Sequence, residues 1–202
     1  MLKTDLSTYN NSPYQPGGNA VKRFLWYYVN ALVFKTGLFP VNGIKAFLLR
    51  LFGAKVGEDL TIKPGVNIKY PWNLTIGNQT WIGENVWIDS LVPVIIGDNV
   101  CISQGAIILT GSHNYKKTSF DLMTNSVILE DGVWIAAGAI VNCGVTAGTH
   151  AVLTAGSVAN KNLEAFYVYQ GNPAIKIRQR ILTEPFPASQ KLNTFNNVNT
   201  KK

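Results

Sequence analysis

Two histidines are the side chains of this sequence best suited to proton transfer near neutral pH. His113 stands in the run ILTGSHNYKKTSF, and His150 lies in the repeat turn AGTHAV. A neutral imidazole, with an unperturbed pKa of ~6.5, can take a proton from a hydroxyl group as a general base. We expect His150 to be structural. His113 is the candidate base, and the alternative is a surface histidine at the root of a loop.

Metal and thiol chemistry are not indicated. Cys101 and Cys143 have neither a CxxC nor a metal-ligand spacing, and the acidic residues fall mostly in repeat turns. We therefore predict no metal site and two reduced, buried thiols.

The net charge of +7, from 18 basic and 11 acidic residues, favours an anionic partner. Between Lys69 and Lys161, however, the only basic residues are Lys116 and Lys117. The centre of the chain thus lacks the continuous basic face that nucleic-acid binding requires, and we predict no nucleic-acid partner.

A repeat with a period of six occupies this centre and must position His113. Thirteen of its fourteen first positions are Val, Ile or Leu; the fourteen are Val56, Ile62, Ile68, Ile76, Ile82, Ile88, Ile96, Ile102, Ile108, Leu129, Ile135, Val141, Ala147 and Leu153. Such a period suits a triangular coil, with three short strands per turn and aliphatic side chains stacked inside. The sequence therefore predicts an all-β solenoid.

Every interruption of the repeat falls after a third hexad. The spacing is 20 residues from Val56 to Ile76 and from Ile76 to Ile96, and 33 from Ile96 to Leu129. The extra residues therefore leave the coil at one and the same corner, and the largest insertion is residues 114–128. Because His113 stands at the mouth of this insertion, we expect the corner to carry the function.

These repeats resemble the hexapeptide-repeat acyltransferases, in particular the maltose, galactoside and colanic-acid acetyltransferase group, over roughly residues 56–158 and again at 171–180. The resemblance implies a left-handed parallel β-helix, an exception to the usual handedness of crossovers. It further implies a homotrimer with active sites between adjacent coils, acetyl-CoA as the donor, and direct O-acetylation of a sugar or polysaccharide precursor with His113 as the base. Transfer to the amine of an aminosugar or antibiotic, and a noncatalytic β-helix scaffold, are the alternatives.

The resemblance also assigns the binding residues. In galactoside-type relatives an acceptor-binding amide aligns with Asp89, so we expect Asp89, together with Asn114 and Tyr115, to bind the acceptor. Asp89 could instead orient the imidazole or be an ordinary solvated turn residue. The positions matching coenzyme A contacts are Ala137, Ala155, Asn160, Lys161 and Arg178, and GNPA at 171–174 resembles the turn that closes the groove.

The flanks of the coil complete the predicted organisation. Residues 1–20 form a polar arm without the features of a secretory signal, which favours a cytoplasmic location. The aromatic and basic segment 21–55 is too interrupted to span a membrane; we expect two amphipathic helices that dock on the coil, with peripheral membrane contact as a further role. The coil occupies 56–160, a segment with a short helix closes the coenzyme A groove at 161–182, and 183–202 is a disordered tail.

Overall fold

The computed structural model of the chain describes residues 2–184, so the tail predicted to be disordered lies, from residue 185 onward, outside the described residues. The front of the chain contains a 3-10 turn at Leu6–Thr8, helix α1 at Ala20–Val29, a π-helical turn at Asn30–Phe34 and helix α2 at Asn42–Leu51. The side chain of Asn19 caps α1 by accepting a hydrogen bond from the backbone N–H of Lys22, at 2.8 Å.

Short strands, with a 3-10 turn at Pro71–Asn73, make up the regular structure of the rest of the described chain. They are β1 (Lys55–Val56), β2 (Thr61–Ile62), β3 (Asn67–Ile68), β4 (Leu74–Ile76), β5 (Trp81–Ile82), β6 (Trp87–Asp89), β7 (Val94–Ile96), β8 (Cys101–Ile102), β9 (Ile107–Leu109), β10 (Gly111–His113), β11 (Leu122–Thr124), β12 (Val127–Leu129), β13 (Trp134–Ile135), β14 (Ile140–Val141), β15 (Thr146–Ala147), β16 (Val152–Leu153), β17 (Val158–Ala159), β18 (Tyr167–Gly171) and β19 (Ala174–Gln179).

The strands form three parallel sheets that wind into a solenoid. Sheet A contains β1, β4, β7, β12 and β15; sheet B contains β2, β5, β8, β13, β16 and β18, with β19 at its edge; sheet C contains β3, β6, β9, β14 and β17. Successive turns place hexad first positions side by side, for example Ile62, Ile82 and Ile102 in sheet B. The predicted all-β solenoid is confirmed.

The interior of the coil consists of these stacked aliphatic residues. All fourteen first positions are buried except Val56, which is half-buried in the first turn. Each buried Ile, Leu or Val contributes roughly 1.5–3 kcal/mol through removal of apolar surface from water. β-branched side chains fit this pleated, two-residue strand geometry, which explains why Ile and Val dominate the repeat.

The helical segment closes the open end of the coil, as the sequence predicts. Trp26 Nε1 donates to the carbonyl of Ile68 at 2.9 Å, and Asn30 Oδ1 accepts from the Ile68 N–H. Asn42 Oδ1 and Lys45 Nζ satisfy the N–H and carbonyl of Ile62 in the same way. These side chains thus replace a missing strand neighbour, which protects the exposed edge of the first turn.

The corner between sheets C and A carries the insertions, at residues 70–73, 90–93 and 110–126. Two buried hydroxyls fix the points where the chain leaves the coil. Ser90 Oγ donates to the Tyr70 carbonyl at 2.9 Å, and Thr110 Oγ1 accepts from the N–H of Leu91 at 2.9 Å. The expectation of one elaborated corner is confirmed. Its largest insertion contains the antiparallel hairpin of β10 and β11.

The C-terminal segment differs from the short helix that we expected. β18 and β19 form an antiparallel hairpin that extends sheet B, with Tyr167 opposite Gln179 and Gly171 opposite Ala174. In β19, apolar Ile175 and Ile177 alternate with polar Lys176 and Arg178, a period of two that favours a strand. Of the described helices, none has the length and apolar character needed to cross a membrane.

Candidate active site

The imidazole of His113 is exposed on β10 and held from one side by Phe120. His113 Nδ1 lies 2.9 Å from the carbonyl oxygen of Phe120, and the two rings stack at a centroid distance of 4.5 Å and an angle of 6°. A carbonyl oxygen can only accept, so Nδ1 carries the proton of the neutral ring. The lone pair of Nε2 therefore remains available as a base.

The hairpin that carries His113 is closed by local hydrogen bonds. His113 pairs with Leu122 across the two strands, and the Asn114 N–H donates to the Asp121 carbonyl at 2.9 Å. In the turn, Phe120 adopts a left-handed conformation with φ of 53°, which directs its carbonyl back towards the histidine. The Lys117–Asp121 ion pair is exposed and adds little to stability.

Asp89 lies at the base of this hairpin. It ends β6 opposite Leu109 of β9, and its Oδ2 is 3.5 Å from the position that a Cβ on Gly111 would occupy. Burial raises the pKa of the Asp89 carboxyl, and the charge of Lys69 partly offsets the effect. Since Nδ1 of His113 is bonded to Phe120, the backbone rather than Asp89 orients the imidazole. Asp89 remains a candidate acceptor ligand.

Asn114 and Tyr115, the other predicted acceptor ligands, lie in the hairpin turn beyond His113. The Asn114 side-chain oxygen accepts from the Lys116 N–H at 3.2 Å, which fixes the turn. The Tyr115 ring is 77% exposed and makes no packing contribution to the coil. Both residues therefore lie next to the candidate base. Asn114 stabilises the turn, and Tyr115 presents an accessible ring.

Two tyrosines of the N-terminal arm border the same site, although they were not among the residues predicted for it. The Tyr9 ring lies 6.1 Å from the His113 ring, tilted by 48°. The Tyr14 hydroxyl donates to the Leu91 carbonyl at 3.0 Å, and burial, with smaller contributions from Tyr70 and Asp89, raises the pKa of Tyr14 to about 12. In the sequence, the only indication of a role for these two residues is that they are aromatic within the otherwise polar arm.

Ala137 and Ala155 lie together at the corner between sheets B and C. They occupy equivalent turns of successive rungs, and the Gly156 N–H donates to the Ala137 carbonyl at 2.9 Å. Gly138 and Gly156 have φ of +63° and +67°, and a Cβ on either would point into open space. This corner therefore presents backbone that a bound molecule can approach closely.

The remaining predicted coenzyme A ligands are more dispersed. Arg178, on β19, borders a cavity of about 310 Å³ together with Trp134 and Thr154, the neighbour of Ala155. Asn160 and Lys161 are exposed and follow β17, at the end of that strand opposite to Ala155. The structure thus groups Arg178 with the two alanines on one side of the coil, whereas Asn160 and Lys161 lie on the side of the elaborated corner.

His150 occupies a different corner, in the turn between β15 and β16, with its ring packed against Phe166 at a centroid distance of 4.9 Å. Cys101 and Cys143 are free thiols that are half-buried, not fully buried as we expected. Among residues 2–184 no three His, Cys, Asp or Glu side chains converge as metal ligands would.

Comparison with known proteins places this geometry in a family. No protein-family model matches the chain. The Escherichia coli (strain K12) protein assigned as the colanic acid biosynthesis acetyltransferase WcaF is 39% identical over 180 residues, which covers 89% of this chain and 99% of that protein. The crystal structure of the hexapeptide-repeat acetyltransferase VCA0836 from Vibrio cholerae has a TM-score of 0.71 at 25% identity and covers 79% and 90% of the two chains.

A galactoside acetyltransferase solved in complex with coenzyme A has a TM-score of 0.70 at 26% identity, covering 79% of this chain and 80% of that one. These similarities confirm the predicted left-handed β-helix. Since the likeness to WcaF covers 89% of this chain and 99% of that protein, the chain belongs to the hexapeptide-repeat acetyltransferases.

Proposed function

We propose that this protein transfers an acetyl group from acetyl-CoA to a hydroxyl group of a sugar or polysaccharide precursor, with His113 as the general base. The observation that carries the proposal is the hydrogen bond between His113 Nδ1 and the Phe120 carbonyl, which leaves Nε2 as a fixed, accessible proton acceptor. The relatives named for colanic acid biosynthesis and for galactosides favour a carbohydrate acceptor.

The reaction is a single direct transfer. Nε2 of His113 takes the hydroxyl proton while the hydroxyl oxygen attacks the thioester carbonyl. The tetrahedral intermediate collapses with cleavage of the carbon–sulfur bond, and the protonated imidazole returns its proton to the departing thiolate. The products are the acetyl ester and free coenzyme A, so no covalent intermediate on the enzyme is required.

The proposed donor site lies along the later turns of the coil. The exposed backbone around Gly138 and Gly156 leaves room for a pantetheine arm beside Ala137 and Ala155. Arg178 and Lys161 supply positive charge for the phosphates. Because these residues lie on two sides of one coil, we propose that a homotrimer completes the site from adjacent subunits. Light scattering of the purified protein tests the trimer.

An acceptor screen tests the activity. The protein is incubated with acetyl-CoA and candidate glycans, and release of free thiol is followed together with the mass of each product. A mass gain of one acetyl group in an alkali-labile ester supports O-acetylation. A stable amide would identify the amine acceptor instead, and release of no thiol with any glycan would contradict the proposed activity.

We further propose that the helical front touches an anionic membrane surface. Its outward side chains are largely apolar; Phe24, Tyr27, Leu32 and Phe47 are among the exposed ones. Arg23 and Lys35 line a cavity beside them together with Lys69. Lys45, a further basic residue of segment 21–55, does not contribute to this face, because it is buried against the Ile62 carbonyl, and burial lowers the pKa of its ammonium group.

Vesicle co-sedimentation tests the membrane proposal. We expect binding to anionic vesicles at low salt, weaker binding at high salt, and a loss in Lys35→Glu, since each basic residue near such a surface contributes about 1 kcal/mol. Lys116→Glu, the same charge reversal at an exposed position on the hairpin of the coil, is the matched control. Equal binding to anionic and zwitterionic vesicles would contradict an electrostatic contact. A cytoplasmic location stays a prediction.

A further inference from the structure

The N-terminal arm, residues 2–18, follows the elaborated corner of the coil. It makes one hydrogen bond to each of the three corner insertions, from Trp72 Nε1 to the Pro16 carbonyl at 2.8 Å, from the Tyr14 hydroxyl to the Leu91 carbonyl at 3.0 Å, and from the Asp5 N–H to the Thr118 carbonyl at 2.8 Å. From Pro16 back to Asp5, the arm therefore runs from the first insertion, past the second, to the hairpin of the third.

This path brings Tyr9 to the catalytic candidate. Its ring centroid is 6.1 Å from that of His113, and the planes are inclined by 48°. Phe120 already covers one face of the imidazole in parallel stacking. Tyr9 and Phe120 therefore contact the His113 ring in different geometries. Phe120 stacks parallel to the imidazole, whereas the Tyr9 ring is tilted and leaves a wedge-shaped space between the two planes.

Tyr9 does not belong to the buried core of the fold. The residue is 37% exposed, and the adjoining turn Leu6–Thr8 contains no buried residue. An aromatic ring that is held beside a reactive group without being packed into a core offers a rigid, partly apolar face to a ligand at little cost in conformational entropy.

We propose that Tyr9 is an acceptor-contacting residue and that the arm forms the outer wall of the acceptor site. A pyranose ring placed against Tyr9 by its apolar C–H face would direct an equatorial hydroxyl towards Nε2 of His113. The arm thereby selects acceptors that combine a flat apolar face with a ring hydroxyl. This inference rests on the proposed function and assigns to it a specificity-determining residue outside the coil.

Steady-state kinetics with an acceptor found in the screen tests the assignment. In Tyr9→Ala, loss of the stacking face should raise the KM for the acceptor about tenfold, a change equivalent to about 1.4 kcal/mol. Tyr9→Phe, which keeps the ring, should remain near the wild-type value. The KM for acetyl-CoA and the slow hydrolysis of acetyl-CoA without acceptor should be unchanged in both variants, since water needs no stacking platform.

Leu6→Ala provides the matched control, because Leu6 belongs to the same arm and is 63% exposed. A Tyr9→Ala enzyme with an unchanged acceptor KM would overturn the inference and leave the proposed function intact. So would one in which acceptor transfer and acetyl-CoA hydrolysis fall equally, since this would indicate disturbance of His113 itself. Wild-type protein that transfers acetyl groups to no glycan would remove both proposals.

Discussion

His113 and Phe120 are joined twice, through a hydrogen bond of 2.9 Å from Nδ1 to the backbone carbonyl and through parallel stacking of their rings at 4.5 Å. The two contacts fix different properties. The carbonyl selects the tautomer in which Nε2 is the acceptor, and the ring fixes the plane of the imidazole. Both depend on the hairpin of β10 and β11, which brings residues seven positions apart in sequence face to face.

Phe120→Gly separates the two contacts. Glycine retains the carbonyl and readily adopts the φ of 53° found at this position, so the tautomer is kept while the stacked ring is lost. We expect kcat to fall about tenfold, because the imidazole is then held less firmly in the orientation that faces the acceptor hydroxyl. Phe120→Tyr keeps the ring and should retain most of the activity. Full activity of Phe120→Gly would show that stacking does not position the base.

Removal of the hairpin tests whether the insertion lies outside the structural repeat. Residues 111–126 are replaced by Leu-Val-Pro, the sequence that follows Ser90 at the same corner one turn earlier. The fold should survive, because the interior residues of β9 and β12 remain in register, and acetyl transfer should be lost. Circular dichroism and thermal unfolding check the fold. A variant that unfolds, or one that keeps full activity, contradicts this assignment.

The half-buried carboxyl of Asp89 predicts a specific pH dependence of stability. Its pKa is raised above the ordinary value of 3.8, so the folded protein binds this proton more tightly than the unfolded chain does. From 3.8 up to the folded pKa the folded state therefore holds more protons, and this group makes stability fall as pH rises. Above the folded pKa the penalty is constant.

Asp89→Asn removes that penalty. We expect the Tm of the variant to exceed that of the wild type at pH 7, and the difference to shrink towards zero as the pH falls below 3.8. Glu84→Gln, the same carboxyl-to-amide change at an exposed turn position of the coil, serves as a comparison. A Tm difference that is negative at pH 7, or one that does not change with pH, would contradict the burial argument.

The end cap of the coil predicts a measurable contribution to stability. Asn42→Ala leaves the N–H of Ile62 without the acceptor that it has at 3.0 Å, which should lower the free energy of unfolding by about 1–3 kcal/mol. Ile44→Ala, on an exposed position of the same helix, should change it far less. Urea unfolding measures both. Equal effects of the two substitutions would indicate that α2 contributes through apolar contact alone.

The repeat was predictable because every sixth residue repeats one physical environment. An interior position such as Ile102 meets the same neighbours in each turn, so the aliphatic pattern determines strands, turns and the corner of the insertions together. The same six-residue spacing also predicts that His113 lies at that corner. The spacing likewise predicts that Asp89 lies at this corner one turn earlier. Only the structure shows that Asp89 makes no hydrogen bond to Nδ1 of His113, which is paired with the Phe120 carbonyl.

Contacts that do not recur with the hexad repeat could not be predicted from the sequence. The partner of His113 is a backbone carbonyl, which leaves no trace in residue type, and Tyr9 reaches the site only because the arm folds along three insertions far apart in sequence. Lys45 belonged to a basic pattern in the sequence, but its position on α2 directs the ammonium group into the end of the coil. For β19, in contrast, the alternation of Ile175 and Ile177 with Lys176 and Arg178 indicates a strand from the sequence itself.

The most direct measurement is the turnover of His113→Ala beside His150→Ala, with acetyl-CoA and the acceptor from the screen. We predict that His113→Ala lowers kcat by on the order of 10²–10⁴-fold, the range for loss of a general base, while the protein stays folded and still binds acetyl-CoA. His150→Ala should keep near-wild-type turnover, because that ring lies in a separate turn against Phe166. Near-wild-type turnover in His113→Ala, or a greater loss in His150→Ala, would contradict the mechanism even with the β-helix intact.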